Sequence, residues 1–139
     1  MATITEDYCD FETAKLLKEK GFNEPTWTRY ENDDDNEVIF GDKYNWNNSP
    51  MRQISAPTLQ MAMKFLREEH ELHIMVDCVG RCNYNPIIQR FDGEDFEVDG
   101  VVRCITKQIG KRYVNVCRGF KTYEEAAEAA IKYCLENLI

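Results

Sequence analysis

Leu59, Ala62, Met63 and Leu66 recur at i, i+3, i+4 and i+7. That spacing puts four apolar side chains on one face of a helix. A helix with one apolar stripe has to lay it on another element, so this segment constrains the fold more than any other. Ser55-Ala56-Pro57 precedes it, with serine expected to cap the helix and proline to fit its first turn. The helix is expected to end near Glu69 or His70, where a charged histidine meets the negative end of the helix dipole. At this spacing the methionines read as core rather than as a soft ligand set.

Alternating segments follow. Leu72 to Cys78 reads as a strand. Tyr84 to Arg90 reads as a second, which Pro86 places at an edge or limits to the residues after it. Asp92 to Asp99 holds five acids in eight residues and reads as a turn or loop. Val101 to Lys107 and Arg112 to Arg118 read as two further strands, joined through Gln108-Ile109-Gly110 as a tight hairpin. The last helix opens on Thr122-Tyr123-Glu124-Glu125, which fits the capping box. Ala127, Ala130, Ile131, Cys134 and Leu138 are expected on its buried face. Alanines there permit close approach to a sheet.

Upstream, Phe11, Ala14 and Leu17 predict a helix from Phe11 to Lys20, with Asp10 as its cap and Gly21-Phe22 as its stop. Between Asn23 and Pro50 the pattern weakens. Trp27, Tyr30, Phe40, Tyr44 and Trp46 stand among polar neighbours, and Val38-Ile39-Phe40 reads as a short strand. Glu31 to Glu37 carries five acids in seven residues. A calcium loop counted from Asp33 needs glycine at its sixth place and glutamate at its twelfth. Val38 and Tyr44 stand there, so a solvated acidic loop is expected.

The expected fold class is therefore α+β: helices on one face of an antiparallel three- to four-stranded meander, in the order α-β-β-β-α, with an N-terminal helix. With 139 residues the chain is read as a single domain, 1–139. Residues 1–54 form its N-terminal helix and aromatic-rich arm, and 55–139 its core. A chain of this length buries about 68% of its unfolded surface, so no disulfide or metal is required for folding.

Two stretches resemble a known group. Ser55-Ala56-Pro57-Thr58-Leu59-Gln60-Met61-Ala62-Met63-Lys64-Phe65-Leu66-Arg67-Glu68 resembles the A-P-T-L-x-x-A-x-x-W-L-R-E segment of small uncharacterised proteins of gut bacteriophages and prophages, with Phe65 where tryptophan is usual. Thr122 to Ala130 resembles their ending, and Phe11 to Phe22 their opening. The likeness concerns helices, so it implies a fold and a phage or mobile-element origin, with a bacterial cytoplasm as the compartment, and it transfers no site residue. A looser likeness is to the double-stranded RNA-binding domain, which also runs helix, three strands, helix. Glu124 and Glu125 stand where such domains place phosphate-binding lysines, so the likeness implies topology and not RNA binding.

The net charge is −8, which argues against direct binding to nucleic acid or an anionic membrane. No 18-residue apolar run predicts a membrane span, and the start has no secretory pattern. In a reducing compartment the six cysteines, Cys9, Cys78, Cys82, Cys104, Cys117 and Cys134, are expected as free thiols. A zinc site can be drawn from His70, His73, Cys78 and Cys82, but the C-x3-C pair has no matching second pair. No metal or cofactor is expected. Ser49 and Ser55 lack a nucleophile-elbow context, and no glycine-rich phosphate loop occurs. The chain is read as a non-enzyme.

One charge feature stands apart. From Gly100 to Tyr123 there is no acid, and Arg103, Lys107, Lys111, Arg112, Arg118 and Lys121 give the segment +6, which leaves −14 for the rest. Alternation places Arg103 with Lys107 and Arg112 with Arg118. Arginine forks and lysine charges across a hairpin suit a phosphate or carboxylate. Arg103, Lys107, Lys111, Arg112 and Arg118 are thus the candidate ligand-binding residues. The plainer alternative is a basic sheet face balanced by the protein's own acidic loops. Two functional classes follow: a binding module for an anionic small molecule or a host protein, or an acidic mimic of nucleic acid that occupies a DNA-binding host protein.

Overall fold

A computed structural model describes residues 4–31, 37–78, 80–90, 101–103, 106–109, 112–115 and 120–139. The protein is mixed α+β and divides into two compact units, 1–62 and 63–139.

The first unit opens with helix α1, Phe11–Glu19. The Thr13 amide donates to Asp10 Oδ1 at 2.8 Å, which satisfies one orphan donor of the first turn. The other end closes as a Schellman motif. Phe22 N–H donates to Leu17 O at 2.9 Å and Gly21 N–H to Lys18 O at 3.2 Å. Gly21 has φ +90°, which glycine adopts without steric cost. Phe22 is thereby folded back and buried.

Strands β1 (Thr26–Tyr30), β2 (Ile39–Tyr44) and β3 (Ile54–Ser55) form an antiparallel sheet in the order β2-β1-β3. The segment expected as an aromatic-rich arm thus supplies the strands of a sheet. Its central strand alternates: Thr26, Thr28 and Tyr30 are buried, Trp27 is exposed and Arg29 half-buried. The inward threonines are satisfied locally. Thr26 Oγ1 donates to Thr28 O at 2.7 Å, and Thr28 Oγ1 donates to Ala56 O. A buried hydroxyl left unpaired costs about 1–3 kcal/mol, so these bonds are what permit threonine on the inner face. Ala14, Tyr30, Ile54 and Ala56 form the adjoining core, with Phe11 and Val38 packed against it. Phe11 meets Tyr30 edge-on at 5.5 Å, and the Tyr30 hydroxyl donates to Cys9 O at 2.7 Å.

Helix α2, Leu59–His70, contains the division between the units. Its apolar face is as expected: Leu59, Ala62, Met63 and Leu66 are buried. Its start differs. Thr58 is the cap, accepting from the Met61 amide at 3.1 Å. Ser55 instead belongs to β3 and exchanges two hydrogen bonds with Asn47: Ser55 N–H to Asn47 Oδ1 at 2.9 Å, and Asn47 N–H to Ser55 Oγ at 3.2 Å. Pro57 lies before the helix, where its carbonyl accepts from Cys9 N–H at 2.9 Å. A serine two places upstream of a proline reads as a cap only while the strand pairing is unknown.

In the second unit β4 (Leu72–Cys78), β5 (Tyr84–Arg90) and β6 (Val101–Arg103) form a meander. Strands β7 (Thr106–Ile109) and β8 (Arg112–Asn115) form a separate hairpin. The run expected as one strand from Val101 to Lys107 is therefore two strands in two sheets. Pro86 lies in β5, the central strand of this sheet, and not at an edge. Tyr84 exchanges hydrogen bonds with Phe120, so Tyr84, Pro86 and Ile88 direct their backbone polar groups away from β4, and the N–H that Pro86 lacks is not one that β4 needs.

Helix α3, Tyr123–Tyr133, lies on β4 and β5 and ends in a π-helical turn, Cys134–Leu138. Thr122 Oγ1 accepts from the Glu125 amide at 3.1 Å, the hydroxyl half of the capping box. Ala127, Ala130, Ile131 and Cys134 are buried as expected, joined by Ala126 and Leu135, whereas Leu138 is half-buried. Leu72 and Ile88 are fully buried, and alternation turns His73, Met75 and Asp77 to the opposite face.

Candidate functional site

The described residues of the predicted basic cluster, Arg103, Lys107 and Arg112, fall on three different strands. Arg103 pairs with Ile87 in the meander, while Lys107 pairs with Val114 in the separate hairpin. Alternation along one strand therefore no longer relates Arg103 to Lys107. Arg112 opens β8 opposite Ile109. Gln108 and Ile109, expected in the turn, are strand residues. Lys111 and Arg118 lie outside the described residues.

The four residues of the drawn zinc site are not gathered. Among the described residues no group of three or more His, Cys, Asp or Glu is placed to hold a metal. The register gives the reason. His73 and Cys78 are five positions apart on β4, so they face opposite sides and stand roughly 17 Å apart along the strand. His70 ends α2 with its ring edge-on to Phe65 at 5.2 Å. The pKa of His73 is lowered by burial and by the nearby Arg67, which favours its neutral form.

The described surface with the most specific chemistry lies on the first unit. Arg29 projects from β1 on the face opposite the core. Its Nε and Nη2 both donate to Glu31 Oε1, at 3.0 and 2.7 Å. Its guanidinium carbon stands 4.3 Å from the centroid of the Trp46 ring, within cation–π range. The indole is itself fixed, donating from Nε1 to Thr26 O at 3.0 Å and meeting Tyr44 at 5.0 Å. Gly41 completes the seat: a Cβ there would fall 2.6 Å from Arg29 Nη1. Glycine in β2 is thus a matter of room for the arginine.

Large apolar side chains are exposed on this unit: Trp27 at 61%, Phe40 at 67%, Tyr44 and Met51. Phe40 meets Tyr8 edge-on at 5.6 Å. The Tyr8 hydroxyl is held protonated by partial burial and by Glu6. Trp27, Phe40 and Tyr44 stand out in the sequence among polar neighbours, whereas Tyr8 does not. The available signal was their density among polar neighbours with no helical period.

No protein-family model, characterised protein or solved structure matches the chain. Among the described residues no helix is long and apolar enough to cross a membrane.

Proposed function

We propose that this is a non-catalytic binding module of a phage or mobile element that acts on a host protein, with the exposed aromatic surface of its first unit as the contact. The observation that carries the reading is the solvent exposure of Trp27 on the same face of β1 as Arg29, which is held by Trp46 and Glu31. Trp, Tyr, Phe, Met and Arg are the residues enriched at protein interfaces and among their hot spots. A pre-ordered side chain also loses less entropy on binding than a mobile one. The test is native mass spectrometry of the protein purified from its host. The expected result is a retained protein that is lost in Trp27→Ala while the thermal midpoint stays unchanged. Equal retention by the variant, or no retained protein, overturns the reading.

A second reading is favoured by the acid-free stretch from Gly100 to Tyr123. Here the ligand is an anionic small molecule held by Arg103, Arg112 and Arg118, with Lys107 and Lys111 adding attraction. The same measurement separates the two, because this ligand would be retained by Trp27→Ala and lost by Arg112→Ala.

A further inference from the structure

The order β4-β5-β6 leaves β4 at an edge of its sheet. It packs against β5 and α3, and among the described residues no strand pairs with its other side. Tyr84, the ladder partner of Cys78, exchanges its hydrogen bonds with Phe120 and not with β4. The alternation of an antiparallel ladder then fixes every position of β4. His73, Met75 and Asp77 bond to β5. Leu72, Ile74, Val76 and Cys78 turn their N–H and C=O groups to the open edge. That edge is seven residues long and carries neither proline nor lysine nor a bulge, the devices that usually block strand addition.

We propose that β4 pairs antiparallel with β4 of a second copy of this chain, about a two-fold axis through Met75. A symmetric dimer needs a self-complementary surface, and this strand is self-complementary in that register. Ile74 faces Val76 of the copy and Leu72 faces Cys78, so every residue with edge-directed groups falls in a hydrogen-bonded pair. Met75, which is 44% exposed, meets its own copy at the centre. His73 stands opposite Asp77 on the same face, an imidazole donor against a carboxylate, and such cross-strand pairs stabilise a sheet. An axis at Ile74 or Val76 would shorten the ladder and set Met75 against His73 or Asp77. The helices also fit. α3 lies over both β4 and β5, and strands are about 4.8 Å apart. Across the joined sheet α3 and its copy would stand roughly 10 Å apart on one face, a separation at which helices pack.

The test is sedimentation velocity on the full chain, in reducing buffer, from micromolar to near-millimolar concentration. Wild type is expected to pass from one chain to two as concentration rises. Met75→Lys sets like charges against each other at the centre and should raise the dimer dissociation constant about tenfold or more. Asp77→Lys should weaken the dimer as well, and adding His73→Glu should restore it by reversing the pair. Equal thermal midpoints at the dilute end show that the variants fold. Met75→Cys reads the register. Under mild oxidation it should yield two chains bridged between their copies of position 75, because non-hydrogen-bonded partners stand about 4.5 Å apart at Cα, within disulfide reach. The proposal is overturned by a wild type that stays a single chain throughout, by a dimer indifferent to Met75→Lys, or by bridges from position 75 that reach only other cysteines.

Discussion

The guanidinium of Arg29 is stacked 4.3 Å from the centroid of the Trp46 ring and lies where a side chain at position 41 would otherwise extend. Three contributions meet at this arginine: the ring, the Glu31 carboxylate and the space left by Gly41. A cation–π contact contributes about 0.5–1 kcal/mol at an exposed site, and a surface ion pair about 0.2–1 kcal/mol. Arg29→Ala should therefore cost about 1–2 kcal/mol. Gly41→Ala should cost about 1 kcal/mol by displacing the same group. In the Arg29→Ala background, Gly41→Ala should cost close to nothing, because the atom it would strike is gone. Denaturant midpoints of the four proteins complete this cycle, and additive losses would refute the shared seat.

The buried face of α3 gives a larger effect. Ala130 is fully buried in the second unit. Ala130→Glu places an unpaired carboxylate there and should cost roughly 3 kcal/mol or more. Thr122→Ala removes only the bond to the Glu125 amide and should cost about 1 kcal/mol. Thermal unfolding measures both, and an unchanged midpoint for Ala130→Glu contradicts the assigned face.

The basic segment is tested by ligand-dependent stability. In a thermal-shift screen against nucleotides, cyclic nucleotides and polyanions, a true ligand gives stabilisation that rises with its concentration. Arg112→Ala should weaken that ligand by about 1.5–3 kcal/mol, the range for a hydrogen bond to a charged group. Lys111→Ala should act less and mainly through salt-sensitive attraction. If no compound stabilises the wild type, or the variant responds equally, the segment is a balanced surface and not a site.

His73 gives a pH signature. Its folded pKa lies below the ordinary histidine value, first through burial and then through Arg67. The unfolded chain therefore binds a proton more readily than the folded one as pH falls through the ordinary histidine range. Stability attributable to this group is present above about pH 6.5 and is lost as pH falls through the lower folded value. His73→Gln should flatten that part of the stability profile between neutral and mildly acid pH, read by denaturant unfolding at each pH. An unchanged slope would remove the group from the pH dependence.

The local code was legible where one element carries its own signal. Asp10, Gly21, Phe22 and Thr122 predict helix ends that form through contacts within a few residues. Leu59, Ala62, Met63 and Leu66 predict a buried face because the helical period is fixed by backbone geometry. The α+β class follows from the same signals. What the sequence alone did not yield depends on partners distant along the chain. Thr-Trp-Thr-Arg-Tyr does not read as a half-buried strand until Thr28 finds the carbonyl of Ala56. Ser55 reads as a cap until Asn47 engages it. Val101 to Lys107 reads as one strand until Arg103 pairs with Ile87 and Lys107 with Val114 in another sheet. Residue order thus determined which segments are helices and where most of them end. Tertiary structure decided which strands pair, where they stop and which aromatics face solvent, because a strand's hydrogen bonds and buried face are completed by other strands.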